Sequence, residues 1–122
     1  MPITVNLSAR IEKDIKHLKR KYPLVLKGVK DITTKLEEGQ RPGDKIPNVG
    51  YDVYKVRLAN PSARRGKRGG FRIVYYAQVA DTLVLLTMYS KTEQADISTE
   101  ELQQIIRELL PPPEVESDDI QE

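Results

Sequence analysis

The chain has 122 residues, 31% of them charged and 39% hydrophobic, which suits one domain with one modest core. With no Cys and a single His (His17), disulfide frameworks, thiolate metal sites, cysteine nucleophiles, Ser-His-Asp triads and multi-histidine metal centres are not expected, nor is a cofactor. No apolar run approaches the ~20 residues of a membrane span, and Met1-Pro2-Ile3-Thr4 lacks a signal-peptide pattern, so a cytoplasmic protein without a membrane partner is expected.

Ile3, Val5 and Leu7 alternate, the period of a half-buried strand. Ser8 then suits an N-cap, and Ile11, Ile15, Leu18 and Tyr22 mark one face of a helix. Pro23 breaks that helix and suits the first residue of another, whose apolar face is Val25, Val29, Ile32 and Leu36 and whose C-cap is Gly39. Residues 39–52, with Gly39, Pro42, Gly43, Pro47 and Gly50, read as a loop. Tyr54 to Leu58 alternates as a strand, residues 60–70 form a Gly-, Arg- and Lys-rich loop, and Phe71 to Ala77 and Leu83 to Tyr89 are further strands joined by a short turn. Ser98 with Glu101 spells a capping box, and Leu102, Ile105, Ile106 and Leu109 give the last helix its apolar face before Pro111-Pro112-Pro113 ends it. The order β-α-α-β-β-β-α predicts an α+β domain over residues 1–110. Its antiparallel sheet carries the two N-terminal helices on one face, followed by a short C-terminal helix. Residues 111–122 are expected to be a mobile acidic tail.

The net charge of +2 conceals an asymmetry. The tail holds Glu114, Glu116, Asp118, Asp119 and Glu122 and no base, which leaves 20 bases against 13 acids, or +7, on residues 1–110. From Lys55 to Arg72 there are seven bases and no acid. Such a local field attracts polyanions. Strand parity sharpens this. Lys55 and Arg57 lie opposite Tyr54, Val56 and Leu58, and Arg72 shares a face with Val74 and Tyr76. If the aliphatic and aromatic set is buried against the helices, Lys55, Arg57 and Arg72 meet on the open face of two neighbouring strands, roughly 5 Å apart. Tyr89 and Lys91 have the parity to extend this patch, and Tyr76 and Tyr89 are aromatics on which a base can stack. His17 receives no role.

The segments Tyr54-Lys55-Val56-Arg57-Leu58, Gly66-Lys67-Arg68-Gly69-Gly70-Phe71-Arg72-Ile73-Val74-Tyr75-Tyr76 and Leu85-Leu86-Thr87-Met88-Tyr89-Ser90-Lys91-Thr92-Glu93 together resemble the RelE/ParE superfamily of toxins from bacterial type II toxin–antitoxin pairs, nearest its HigB/RelE-like branch. The resemblance spans roughly residues 1–110. It implies a RelE-like fold and a ribosome-dependent mRNA endoribonuclease that inhibits translation. Its partners would be a cognate antitoxin, the ribosome and mRNA, and the toxin would be monomeric alone and hetero-oligomeric with its antitoxin. Lys55, Arg57 and Arg72 match the family's basic positions on the central strands, and Lys91 lies where a further base is expected. Thr92 stands where some relatives have a catalytic arginine and Ser98 near where some have a tyrosine, so those roles are not carried over.

Metal-free RNA cleavage uses the substrate's 2′-hydroxyl to attack the adjacent phosphorus. A lysine among cations can take the proton, because repulsion favours the neutral amine, and arginines grip the phosphate. Lys55 is the candidate base, Arg57 and Arg72 are fixed cations, and Lys91 assists the leaving oxygen. Arg64, Arg65, Lys67 and Arg68 are expected to hold ribosomal RNA. Two alternatives remain open from sequence: a non-cleaving, gyrase-inhibiting toxin of the ParE type, and a non-catalytic RNA- or ribosome-binding module.

Overall fold

A computed structural model describes residues 3–59, 70–79 and 81–109. The expectations for the loop at 64–68 and the tail at 111–122 lie outside the described residues. The chain runs β1 (Thr4–Leu7), α1 (Ala9–Lys21), α2 (Val25–Glu37), β2 (Asp44–Lys45), β3 (Val53–Leu58), β4 (Phe71–Val79), β5 (Thr82–Ser90) and α3 (Thr99–Leu109). No described helix is long and apolar enough to cross a membrane.

The helix boundaries follow local chemistry. Ser8 caps α1 as expected: its Oγ accepts from the Ile11 N–H at 3.0 Å. The same hydroxyl donates to the Leu86 carbonyl at 2.7 Å, so the cap also ties the helix to the sheet. Pro23 lies in the turn before α2, whose N-cap is Leu24, so that helix starts two residues later than its proline suggests. Gly39 follows the end of α2 with φ +93°, a conformation that glycine adopts without a Cβ clash. At α3 only half of the expected capping box forms. Ser98 Oγ accepts from the Glu101 N–H at 3.0 Å, while the Glu101 carboxylate is drawn away to Arg10 at 2.7 Å.

The strands form one sheet in the order β1-β5-β4-β3-β2. Pairs β2–β3, β3–β4 and β4–β5 are antiparallel, as short connections require, whereas β1 runs parallel to β5 from Thr4↔Thr82 to Leu7↔Leu85. No tight turn joins β1 to its neighbour, so nothing forces it to run antiparallel. The loop read at 39–52 contains the two-residue strand β2, which pairs only with Lys55 and Tyr54.

Two cores flank the sheet. Ile11, Leu18, Val29, Ile32 and Leu36 of the N-terminal helices pack on Phe71, Ile73, Tyr75, Leu83 and Leu85. On the opposite face Leu102, Ile105 and Ile106 of α3 cover Val53, Val74, Tyr76, Val84, Leu86 and Tyr89. The two N-terminal helices share one face, as expected, and the C-terminal helix covers the other. The central strands β4 and β5 are apolar on both faces, and burying the second set requires a second helical layer.

Candidate functional site

The predicted parity holds. Val56 and the partly buried Tyr54 and Leu58 belong to the core under α1 and α2, as do Phe71, Ile73 and Tyr75. Val53, Val74 and Tyr76 lie on the α3 face, so Lys55, Arg57 and Arg72, at the same parity, also belong to that face. The register sets Arg57 opposite Arg72 and Arg72 opposite Tyr89, one row across three strands. Lys55 pairs with Val74 in the row after next, and Val53 with Tyr76 and Val84 beyond it. The face thus has an apolar end under α3 and a basic end at the other extremity of β3 and β4.

The three cations differ in environment. Arg57 is exposed, and among the described residues no carboxylate pairs with it. Lys55 is partly exposed, and its Nζ lies 3.2 Å from Asp96 Oδ1. Arg72 is only 5% exposed, with a guanidinium nitrogen donating to the Phe71 carbonyl at 3.3 Å. An open face bearing all three cations is therefore corrected: Arg57 and Lys55 face solvent, and Arg72 is a fixed charge beneath them. A cleft of about 370 Å³ along the edge of β3 left uncovered by short β2 is lined by Lys35, Gly43, Asp44, Lys55 and Arg57 among others.

The tyrosines also depart from expectation. Tyr76 and Tyr89 are 8% and 5% exposed, because the apolar face of α3 needs them as core. Tyr76 packs edge-on against Tyr51, with ring centroids 5.6 Å apart. Neither ring is available for a base to stack on. Tyr89 instead offers its hydroxyl, which donates to Asp96 Oδ1 at 3.2 Å. Burial, then the charge of Asp96 and the hydrogen bond to it, push this phenol up to about 12, against the opposing pull of Arg72. Lys91 continues the β4–β5 pairing through its N–H to the Gly70 carbonyl at 2.9 Å. Its ammonium donates to the Ala95 carbonyl of its own loop at 2.7 Å. Ser90 Oγ and Thr92 Oγ1 are hydrogen-bonded at 2.9 Å.

Asp96 is the member of the site that sequence reasoning missed. Its Oδ1 accepts from Lys55, Tyr89 and the Ile97 N–H, the last at 2.9 Å. Burial alone would raise this carboxyl, but the Ile97 N–H, Lys55 and Tyr89 outweigh it and hold the group below the usual carboxylate range. Its one signal in the sequence was an acid between the last basic position and the Ser98 cap.

Sequence reasoning also missed the clamp behind the site. Leu86 has no partner in β4, because Leu85 pairs with Tyr75 and Thr87 with Val74. At this bulge the Thr87 hydroxyl and the Met88 N–H, the latter at 3.1 Å, both donate to Asp14 of α1. Asp14 in turn accepts from Arg10, which also reaches Glu101. Partial burial pulls Arg10 down, but those two carboxylates more than compensate and leave its guanidinium above its ordinary value.

Comparison with known proteins agrees with this architecture. A solved structure of the E. coli toxin RelE, a double arginine-to-alanine mutant in the free state, is similar in fold, with a TM-score of 0.53 and 18% identity over 90% of this chain and 100% of that one. The model of the family described as RelE toxin of the RelE/RelB toxin–antitoxin system matches residues 12–109. The chain belongs to the RelE family of toxins from toxin–antitoxin systems.

Proposed function

We propose that this toxin is a ribosome-dependent mRNA endoribonuclease, acting in the cytoplasm and neutralised by a cognate antitoxin. The observation that carries the reading is the cationic end of the α3 face, where Arg57 and Arg72 are directly paired and Lys55 lies two residues along the same strand. Cations grouped in this way set up a local positive field that attracts a phosphate chain.

In this mechanism the 2′-hydroxyl attacks the adjacent phosphorus, the 5′-oxygen leaves, and a 2′,3′-cyclic phosphate remains. Lys55 stands at the 2′ proton. Arg57 grips a non-bridging oxygen from the solvent side, and buried Arg72 stabilises the charge that develops on the phosphorane. Lys91 assists the leaving oxygen once its ammonium exchanges the Ala95 carbonyl for substrate.

The test is primer extension on an mRNA in a translating extract. Cuts inside translated codons are expected with the wild type, with none on the same RNA without ribosomes and roughly 10²–10³ slower cutting by Lys55→Gln. Intact mRNA together with arrested DNA replication would overturn the nuclease assignment.

A further inference from the structure

We infer that Asp96 is an internal competitor for the substrate phosphate, a carboxylate that occupies the anion position of the basic site until a nucleic-acid strand displaces it. The inference rests on the reading of this face as an RNA site. Three donors from separate parts of the chain converge on one oxygen: Lys55 Nζ from β3 and the Tyr89 hydroxyl from β5, both at 3.2 Å, and the Ile97 N–H at 2.9 Å. Cation, hydroxyl and backbone amide are the donor types that hold a non-bridging phosphate oxygen. The carboxylate lies on the solvent side of the lysine, since the Asp96 side chain is 65% exposed and that of Lys55 only 29%. An anion arriving from solvent therefore meets Asp96 first.

The loop that carries Asp96 is held mostly by bonds within itself, the Glu93 and Gln94 N–H groups donating to the Ser90 carbonyl at 3.0 Å and Lys91 to the Ala95 carbonyl at 2.7 Å. Gln94 reaches the Asp96 carbonyl at 2.8 Å, and Glu93 makes long, exposed contacts with His17 and Lys21 at 3.3 and 3.4 Å. Moving the carboxylate aside breaks an exposed ion pair, worth roughly two- to fivefold in an equilibrium constant, and releases the Tyr89 hydroxyl and the Ile97 N–H to the phosphate oxygen that takes its place. A lone anion bears that cost for the sake of one lysine. A strand recovers it, because a neighbouring phosphate engages exposed Arg57 at the same time. Asp96 thus selects extended polyanions over small ones, and it keeps Lys55 paired in the free toxin.

The experiment titrates the full chain, followed by NMR, with inorganic phosphate and separately with a 2′-O-methyl RNA trinucleotide that cannot be cleaved. Wild type, Asp96→Asn, Lys55→Gln and the double variant are compared. Asn keeps the size of the side chain and an acceptor for its three donors, so the change removes charge alone. Asp96→Asn is expected to bind both probes roughly two- to fivefold more tightly, with the larger gain for phosphate. In the Lys55→Gln background that gain disappears. Unchanged or weaker binding by Asp96→Asn, with Lys55→Gln still impaired, would overturn the competitor role and leave the RNA reading standing. A merely structural role for Asp96 gives a gain that persists in the Lys55→Gln background, and that result would likewise overturn the competitor role. Equal affinity of Lys55→Gln and wild type, or no binding by any variant, would overturn the RNA reading and the competitor role together.

Discussion

Replacing Arg57 with Gln should abolish most of the activity and make the protein more stable. Arg57 lies directly across from Arg72, and such neighbours have Cβ atoms roughly 5 Å apart. With the charge centres taken about 6 Å apart, repulsion is ~0.7 kcal/mol in a water-like dielectric and ~3 kcal/mol at an effective dielectric of 20. Arg57 is exposed and Arg72 is 5% exposed, so the lower end applies, at about 0.5–1 kcal/mol. For a domain of this size that raises the melting temperature by roughly 2–5 °C. The assay is thermal unfolding at low salt and at about 0.5 M salt, beside mRNA cutting in a translating extract. The stabilisation should shrink at high salt, where the screening length falls to a few ångströms, and cutting should fall about 10²–10³-fold. A lower melting temperature would mean that Arg57 packs rather than repels. Full cutting activity would remove it from the site.

Three further outcomes follow. Gly43→Ala places a Cβ 2.3 Å from the Lys55 carbonyl oxygen at φ +90°, which should cost about 3 kcal/mol in urea unfolding; a loss below ~1 kcal/mol would show that the β2–β3 approach relaxes freely. Asp14→Ala strands the Met88 N–H and the Thr87 hydroxyl, leaves Arg10 with Glu101 alone, and should cost about 3 kcal/mol; retention of full stability would show that the bulge finds other acceptors. Burial pushes the Tyr89 phenol up to about 12, while an unfolded tyrosine ionises near 10. Its contribution is therefore fully present below pH 10 and lost between pH 10 and 12, by roughly 2–3 kcal/mol, and Tyr89→Phe should show a shallower alkaline decline in pH-dependent denaturation.

Patterns of period two and 3.6 carried most of the fold into view. The alternation at Tyr54–Leu58 put Lys55 and Arg57 on the right face, and the spacing of Leu102, Ile105 and Ile106 marked the buried side of α3. What that spacing did not reveal was which side of the sheet α3 would cover. Val74, Tyr76, Val84 and Leu86 were visible as apolar, but a strand buried on both faces reads as a simple hydrophobic run. Once α3 covers them, Tyr76 and Tyr89 become core and cannot stack on bases. Asp96 and Asp14 were illegible for another reason. Each acts on a partner 41 or more residues away in the chain, Lys55 for one and Thr87 for the other, and no local period encodes such a contact.

The clamp behind the sheet and the basic row in front of it are two ends of one device. Arg10 and Asp14 lie on one helix and together hold the β5 bulge and Glu101 at the start of α3. Between those anchors run Tyr89, Lys91 and Asp96, the residues that complete the site around Lys55. Fixing both ends of this segment limits where the Tyr89 hydroxyl and the Asp96 carboxylate can go, and their exposed middle remains free to yield to a ligand. The bulge matters because it changes the parity of β5: if the strand paired regularly through Leu86, Tyr89 would turn toward α1 and Met88 would take its place opposite Arg72. The arrangement of the candidate site therefore depends on a register fault that Asp14 of α1 holds in place from the opposite face of the sheet.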